Sequence, residues 1–245
     1  MVSRHLKHTI NCADDLEIAP DFFSYFEATL PLLRADPTLF CVSAWNDNGK
    51  ESFISDPHSL YRSDFFPGLG WMMTRELWKE MDSKWPAGFW DDWLRQPEQR
   101  KDRACIRPEI SRTYTFGRIG SSNGQFFDEH LKHIVLNSKP VDFLAKDLSP
   151  LLKDEYDSMF VGRAYSAELL SSVGELKGRW ESAGSYRLEY SSNREFEDIA
   201  RNLGVMSDLK SGVPRGAYLG IVPFKHNGHE IFITPKKPWK GYHEN

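Results

Sequence analysis

Strand-like and helix-like runs alternate along residues 14–117, and no other feature narrows the fold of this chain as much. Such alternation predicts helices laid on a sheet, an α/β layer. Pro20 and Asp21 open the first helix, with a proline suited to the first turn and an acid near the positive end of the dipole. Phe22, Phe26, Leu30 and Leu33 recur at helical spacing, and Asp36-Pro37 stops the run. Pro31 inside it predicts a kink or an early end. Leu39 to Trp45 reads as a strand that ends in the turn Asn46-Asp47-Asn48-Gly49. Phe65 to Trp71 is a loop whose glycines allow close backbone approach, and Thr74 to Met81 is helical.

The second half reads differently. Residues 118–128 form a polar Gly/Ser loop, either a lid hinged at Gly120 and Gly124 or a plain connection. Residues 129–155 are a connecting segment broken by Pro140 and Pro150. Tyr186 to Tyr190 alternates as a strand, and Ser192-Asn193-Arg194-Glu195 fits a capping box. Phe196, Ile199, Ala200 and Leu203 form the apolar stripe of the helix that Gly204 closes. Ala217 to Phe224 and His229 to Thr234 are strands joined through Asn227-Gly228, a strong hairpin signal. The expected organisation is residues 1–128 as one unit, 129–155 as a connection and 156–245 as a small α+β unit.

Composition matters where it excludes function. The 245 residues are 40% hydrophobic and 13% aromatic, enough for a real core. A net charge of -4 leaves no basic field to recruit nucleic acid. No apolar run reaches membrane-spanning length and no signal-peptide core is present, so the expectation is a soluble chain without an address of its own. Three cysteines, Cys12, Cys41 and Cys105, fit either three buried thiols or one long-range bridge, Cys41–Cys105. His-Leu-Lys-His occurs at 5–8 and 130–133, with no third ligand spaced to make a metal site.

Two acidic pairs carry the chemistry. Asp14-Asp15 suits a hard divalent cation, which takes one or two carboxylates and completes its shell with phosphate oxygens. The same pair also fits a surface cap on the turn before Pro20. Asp91-Asp92 follows Trp90 and precedes Trp93-Leu94. A carboxylate there can take the proton from an attacking acceptor hydroxyl, and an indole beside it can cover a sugar face. The competing reading is that Asp91 or Asp92 caps the helix that follows.

Longer motifs go further. Ala-Asp-Asp-Leu-Glu-Ile-Ala-Pro-Asp-Phe-Phe at 13–23, Val-Ser-Ala-Trp-Asn-Asp-Asn-Gly-Lys at 42–50 and Asp-Phe-Phe-Pro-Gly-Leu-Gly-Trp at 64–71 resemble the N-acetylglucosaminyltransferase I family, glycosyltransferase family 13. So do Phe-Trp-Asp-Asp-Trp at 89–93, Arg-Pro-Glu-Ile-Ser-Arg-Thr at 107–113 and Leu-Lys-Ser-Gly-Val-Pro-Arg at 209–215. The resemblance implies an incomplete type-A glycosyltransferase sheet, Rossmann-like, followed by a small α+β domain. It implies UDP-N-acetylglucosamine as donor, Mn²⁺ as cofactor, a high-mannose N-glycan as acceptor, and inversion at the anomeric carbon. By motif position Asp15 matches the metal ligand, and Asp14, Trp90 and Ser122 match donor-contacting residues. Asp91 matches the catalytic base, and Cys41 and Cys105 match a family disulfide. The family motif is Glu-Asp-Asp after an apolar strand. Here Ala13 stands at the glutamate position, and His8 to Cys12 reads as a poor strand. The resemblance implies a Golgi-lumenal protein held by an N-terminal anchor, and the expectation is that these residues carry neither that anchor nor the first strands around uracil and ribose. The alternative expectation is therefore an inactive truncated fragment that binds glycan or a partner.

Overall fold

The computed structural model describes residues 8–118, 124, 126–177, 179, 184–237 and 239–242. Along the first half run β1 (His8–Asn11), β2 (Leu16–Ile18), α1 (Phe22–Ala35), β3 (Leu39–Ser43) and β4 (Leu60–Ser63). Then come β5 (Trp71–Thr74), α2 (Arg75–Met81), α3 (Trp90–Arg95), α4 (Pro97–Arg100), β6 (Ala104–Pro108) and β7 (Thr113–Thr115). The main sheet has the order β1-β5-β3-β6-β4, with β3 and β6 parallel and the other neighbours antiparallel. The result is the mixed α/β layer that the alternating pattern predicts.

Both faces of this sheet are covered. Met72, Ala104 and Ile106 point to a core shared with Phe22, Tyr25, Phe26 and Leu33 of α1. Their alternate neighbours Trp71, Met73 and Cys105 point to the other face, beneath Met81 and Leu94. This is the period-2 alternation of strands with two buried sides. Cys41 and Cys105 face each other across the β3–β6 ladder and form a disulfide, whereas Cys12 is a free, exposed thiol.

In the second half lie α5 (Lys153–Ser166), β8 (Glu168–Leu170), α6 (Val173–Lys177), β9 (Ser185–Tyr190) and α7 (Asn193–Leu203). They are followed by β10 (Leu209–Lys210), β11 (Val213–Pro214), β12 (Val222–His226) and β13 (His229–Pro235). A four-stranded sheet runs β12-β13-β9-β8, and α7 packs Phe196 and Ala200 onto Leu188, Ile231 and Ile233. The Ser192 hydroxyl accepts from Glu195 N, and the Glu195 carboxylate accepts from Ser191 N at 2.6 Å, a capping box displaced by one residue. Gly204 closes the helix with φ +80°, and Asn227 and Gly228 both take positive φ in the β12–β13 turn.

Three expectations are corrected. Pro31 does not end α1, which runs on to Ala35. Pro31 and Glu27 both lie on the exposed face, so the Glu27 carbonyl that loses its partner faces water. His8 to Asn11 does form a strand, because pairing with β5 supplies the order that its composition does not. Ala217 to Ile221 is not strand. Tyr218 and Ile221 exchange backbone hydrogen bonds around Leu219 and Gly220, both at positive φ, and β12 begins only at Val222. α5 is a further element that no motif named above announces. Its buried residues Tyr156, Phe160 and Ala164 are spaced by four and join the core beneath α1, together with Tyr218 and Phe232.

Candidate functional site

A buried ion pair fixes the ground beneath the first acidic pair. Arg112 donates to Asp21 (3.1 Å), both side chains being almost wholly buried, and Asp21 also accepts from Asn137 Nδ2 and Val141 N. A charge pair at that depth holds only because each lone pair and proton finds a partner. It ties the start of α1 to the strand β7 and to the connecting segment. Ala19 N donates to Arg112 O, and β2 then pairs with β7 from Ile18↔Thr113 to Leu16↔Thr115.

Asp15 sits one residue before this ladder. Its carbonyl accepts from Phe116 N (3.1 Å), and its carboxylate lies over Gly117 so closely that a Cβ there would meet Oδ2 at 1.9 Å. A side chain at that position would push the carboxylate aside. Asp15 is half-buried and Asp14 is exposed, two hard oxygen donors on adjacent residues of one short turn. Burial first, then the Asp15 charge, push the neighbouring Cys12 thiol up from its ordinary value. Among the described residues no group of three or more His, Cys, Asp or Glu gathers to cage a metal. One or two carboxylates with phosphate oxygens completing the shell is the arrangement magnesium-like cations use, and the donor set fits it.

The second acidic pair stands in the first turn of α3. The residue before that turn, Phe89, takes φ +52° and is 70% exposed. A bulky side chain in that region costs about 1–2 kcal/mol, and such strain gathers at functional sites. Neither Asp91 nor Asp92 caps the helix; the N-cap is Phe89, without a side-chain hydrogen bond. Trp90 packs at 5.8 Å from Trp71 and 6.1 Å from Trp85, which seats α3 on the disulfide-bearing face of the sheet. Arg95 donates from one nitrogen to both Asp91 Oδ2 and Asp92 Oδ1, each at 2.8 Å. Lys210, in the second half of the chain, donates to Asp92 Oδ2 at 3.1 Å. Burial raises the Asp92 carboxyl, but the Lys210 and Arg95 hydrogen bonds outweigh it and hold it below the usual carboxylate range. Among the described residues Asp91 Oδ1 accepts no hydrogen bond.

The loop Pro67–Gly70 lies between α3 and β7. On one side Gly68 faces Asp91 and Trp90, whose nearest atoms would lie 3.6 and 3.7 Å from a Cβ there. On the other the Thr113 hydroxyl donates to Leu69 O (2.7 Å), and Gly70, at φ +83°, has no room for a Cβ beside Thr113 Cγ2. Trp90 and Asp91 lie against this loop, and Thr113 on its other side pairs with Ile18 of the strand that Asp15 precedes. Ser122 lies outside the described residues. Arg95 was legible as the i+4 partner of Asp91. Gly117 and Lys210 were not, since their roles come from contacts made at long range.

This sheet, with paired carboxylates at its edge and at the helix on its face, is consistent with an α/β glycosyltransferase fold. The model for the GNT-I family matches residues 1–245, and the chain belongs to that family. Over 212 residues it is 48% identical to the alpha-1,3-mannosyl-glycoprotein 2-beta-N-acetylglucosaminyltransferase of Arabidopsis thaliana, a match covering 86% of this chain and 48% of that protein. The chain thus spans about half the length of that relative.

Proposed function

We propose that the chain belongs to an enzyme that transfers N-acetylglucosamine from UDP-N-acetylglucosamine, in β1,2 linkage and with inversion, to the α1,3-linked mannose of a high-mannose N-glycan. The observation that carries this is Asp91, which accepts from Arg95 through one oxygen, keeps the other open, and packs against the Pro67–Gly70 loop that Thr113 of the β2–β7 ladder holds from the other side. In this reading Asp91 takes the proton of the mannose hydroxyl as that oxygen attacks the anomeric carbon. Arg95 orients the carboxylate, and Trp90 lines the donor side and excludes water. Asp15 directly, with Asp14 beside it, holds Mn²⁺, and Ser122 contacts the donor. When bound, Mn²⁺ supplies positive charge to the leaving diphosphate. Residues 1–128 carry donor binding, 129–155 connect, and 156–245 form a small α+β unit. A role in N-glycan processing belongs to the secretory pathway, and we assign it to the Golgi lumen. Among the described residues no helix is long and apolar enough to cross a membrane.

A second reading, a glycan- or partner-binding module without transfer, draws on one observation. Among the described residues β1 hydrogen-bonds to β5 on one side and ends the sheet on the other. Titration with UDP-N-acetylglucosamine, with and without Mn²⁺, separates the two. Saturable binding that needs Mn²⁺ and is lost in Asp15→Ala supports the transferase. Its absence supports the module.

A further inference from the structure

A concavity lies apart from the acidic pairs. It has a volume of about 340 Å³ and opens between the start of α7 and the C-terminal segment 235–242. That is at the small end of the roughly 300–1,000 Å³ typical of ligand sites. Its walls include Tyr190, Ser191, Asn193, Gly212, Trp239 and Tyr242.

The C-terminal segment is pinned in place rather than loosely draped. Lys236 N donates to Tyr190 O (2.9 Å), and the Tyr242 hydroxyl donates to Asp64 Oδ2 (2.6 Å) while accepting from Gly220 N (2.9 Å). Arg100 lies over the Tyr242 ring at 5.4 Å, and Trp239 packs edge-on against it at 5.2 Å. At Gly220 a Cβ would meet Trp239 Nε1 at 2.8 Å, so the segment seats against bare backbone. The cavity is therefore built before any ligand arrives.

Its chemistry is that of a sugar platform. The Tyr190 hydroxyl is spent on Gly220 O (2.8 Å) and the Tyr242 hydroxyl on Asp64. Both residues line the cavity together with Trp239, their phenols engaged within the protein. Ser191 and Asn193 stand in the same wall. Aromatic residues beside small polar ones match a pyranose, which has one C–H face and a hydroxyl edge. Lys236 and Lys240 also line the cavity and would suit an anion. The capping box argues against one, because Glu195 brings a carboxylate to Ser191 N and Ser192 Oγ occupies Glu195 N.

Position links this cavity to the candidate base. Gly212 is the tip of the β10–β11 turn, with Ser211 and Gly212 both at positive φ. Two residues back Lys210 holds Asp92, and Ser211 donates to Gln96 Oε1 (3.0 Å). Two residues span at most roughly 7 Å of backbone, so one turn forms both the cavity wall and the flank of the acidic pair.

We propose that this cavity is a carbohydrate subsite that holds a neutral hexose of the acceptor's further arm, a few sugar units from the one that is modified. The proposal rests on the transferase reading for the identity of the acceptor. It is tested on the chain with ¹⁵N-labelled tryptophan, the Trp239 indole signal being the one missing from Trp239→Phe. A mannose pentasaccharide of the high-mannose type, without donor, should shift that signal saturably. Trp239→Ala, and independently Ser191→Trp, which plugs the cavity from the opposite wall, should each weaken glycan binding about tenfold. UDP-N-acetylglucosamine binding in Mn²⁺ should be unchanged in both. A glycan that leaves the Trp239 signal still overturns the proposal, as does inorganic phosphate moving that signal where the glycan does not. A glycan shift in a chain that shows no donor binding keeps the subsite and removes the transferase reading instead.

Discussion

Arg95 serves two carboxylates from one nitrogen, and the division decides which of them can act as a base. Asp92 has a second cation in Lys210, whereas Asp91 keeps an oxygen open. Asp91→Asn should lower transfer by about 10²–10⁴-fold while leaving Mn²⁺-dependent donor binding intact; calorimetry on the same sample checks the second half. Gly117→Ala should displace the Asp15 carboxylate and weaken Mn²⁺-dependent donor binding by about 10–100-fold, because the new methyl takes the carboxylate's place. A further residue-scale prediction concerns Asp36, which pairs with the buried Arg62 at 2.7 Å. Burial raises its carboxyl, but Thr38 and Arg62 outweigh that and hold it low. A depressed folded value means stability that is present above the ordinary carboxylate range and is lost as pH falls through the lower, folded value. Asp36→Asn should flatten that acid limb in denaturant melts between pH 6 and pH 3. It should also cost about 3 kcal/mol at neutral pH by leaving Arg62 buried without its counter-charge.

At the scale of elements, the disulfide joins β3 to β6 across a separation of 64 residues, on the face that carries α3. Cys41→Ala with Cys105→Ala should cost about 2–4 kcal/mol in urea unfolding, more than two ordinary buried thiols would cost. Elements whose signals are local were legible in the sequence. Phe22 to Ala35, the Ser192–Gly204 helix with its two caps and the Asn227-Gly228 hairpin all stand where their residues put them. What escaped is what tertiary contact decides. β1 exists because β5 offers an edge, and α5 follows from a core that its mixed stripe only partly announces. The Leu219-Gly220 turn interrupts an apolar run that reads as strand. In the candidate site the carboxylates were visible as motifs. Gly117 and Lys210 were not, because one acts by the room it leaves and the other from 118 residues away.

The molecule as a whole is knit across its halves. Phe22, Tyr25 and Met72 share a core with Tyr156, Phe160, Tyr218 and Phe232. Arg215 bridges Asp47 (2.9 Å) to Asp208 (2.7 Å) over the same divide. Far-UV circular dichroism and tryptophan fluorescence should therefore report one coincident unfolding transition. Two separated transitions would show residues 156–245 folding alone. The Lys210–Asp92 contact extends this union from the core to the candidate site. Two half-exposed groups from distant parts of the chain share Asp92 with Arg95, the residue that also holds Asp91, and attraction across partly wetted surface fades with added salt. The setting of the Arg95 guanidinium is thus a shared property, owed in part to a lysine on another unit. Transfer should vary with ionic strength, and vary less once Lys210 is neutralised.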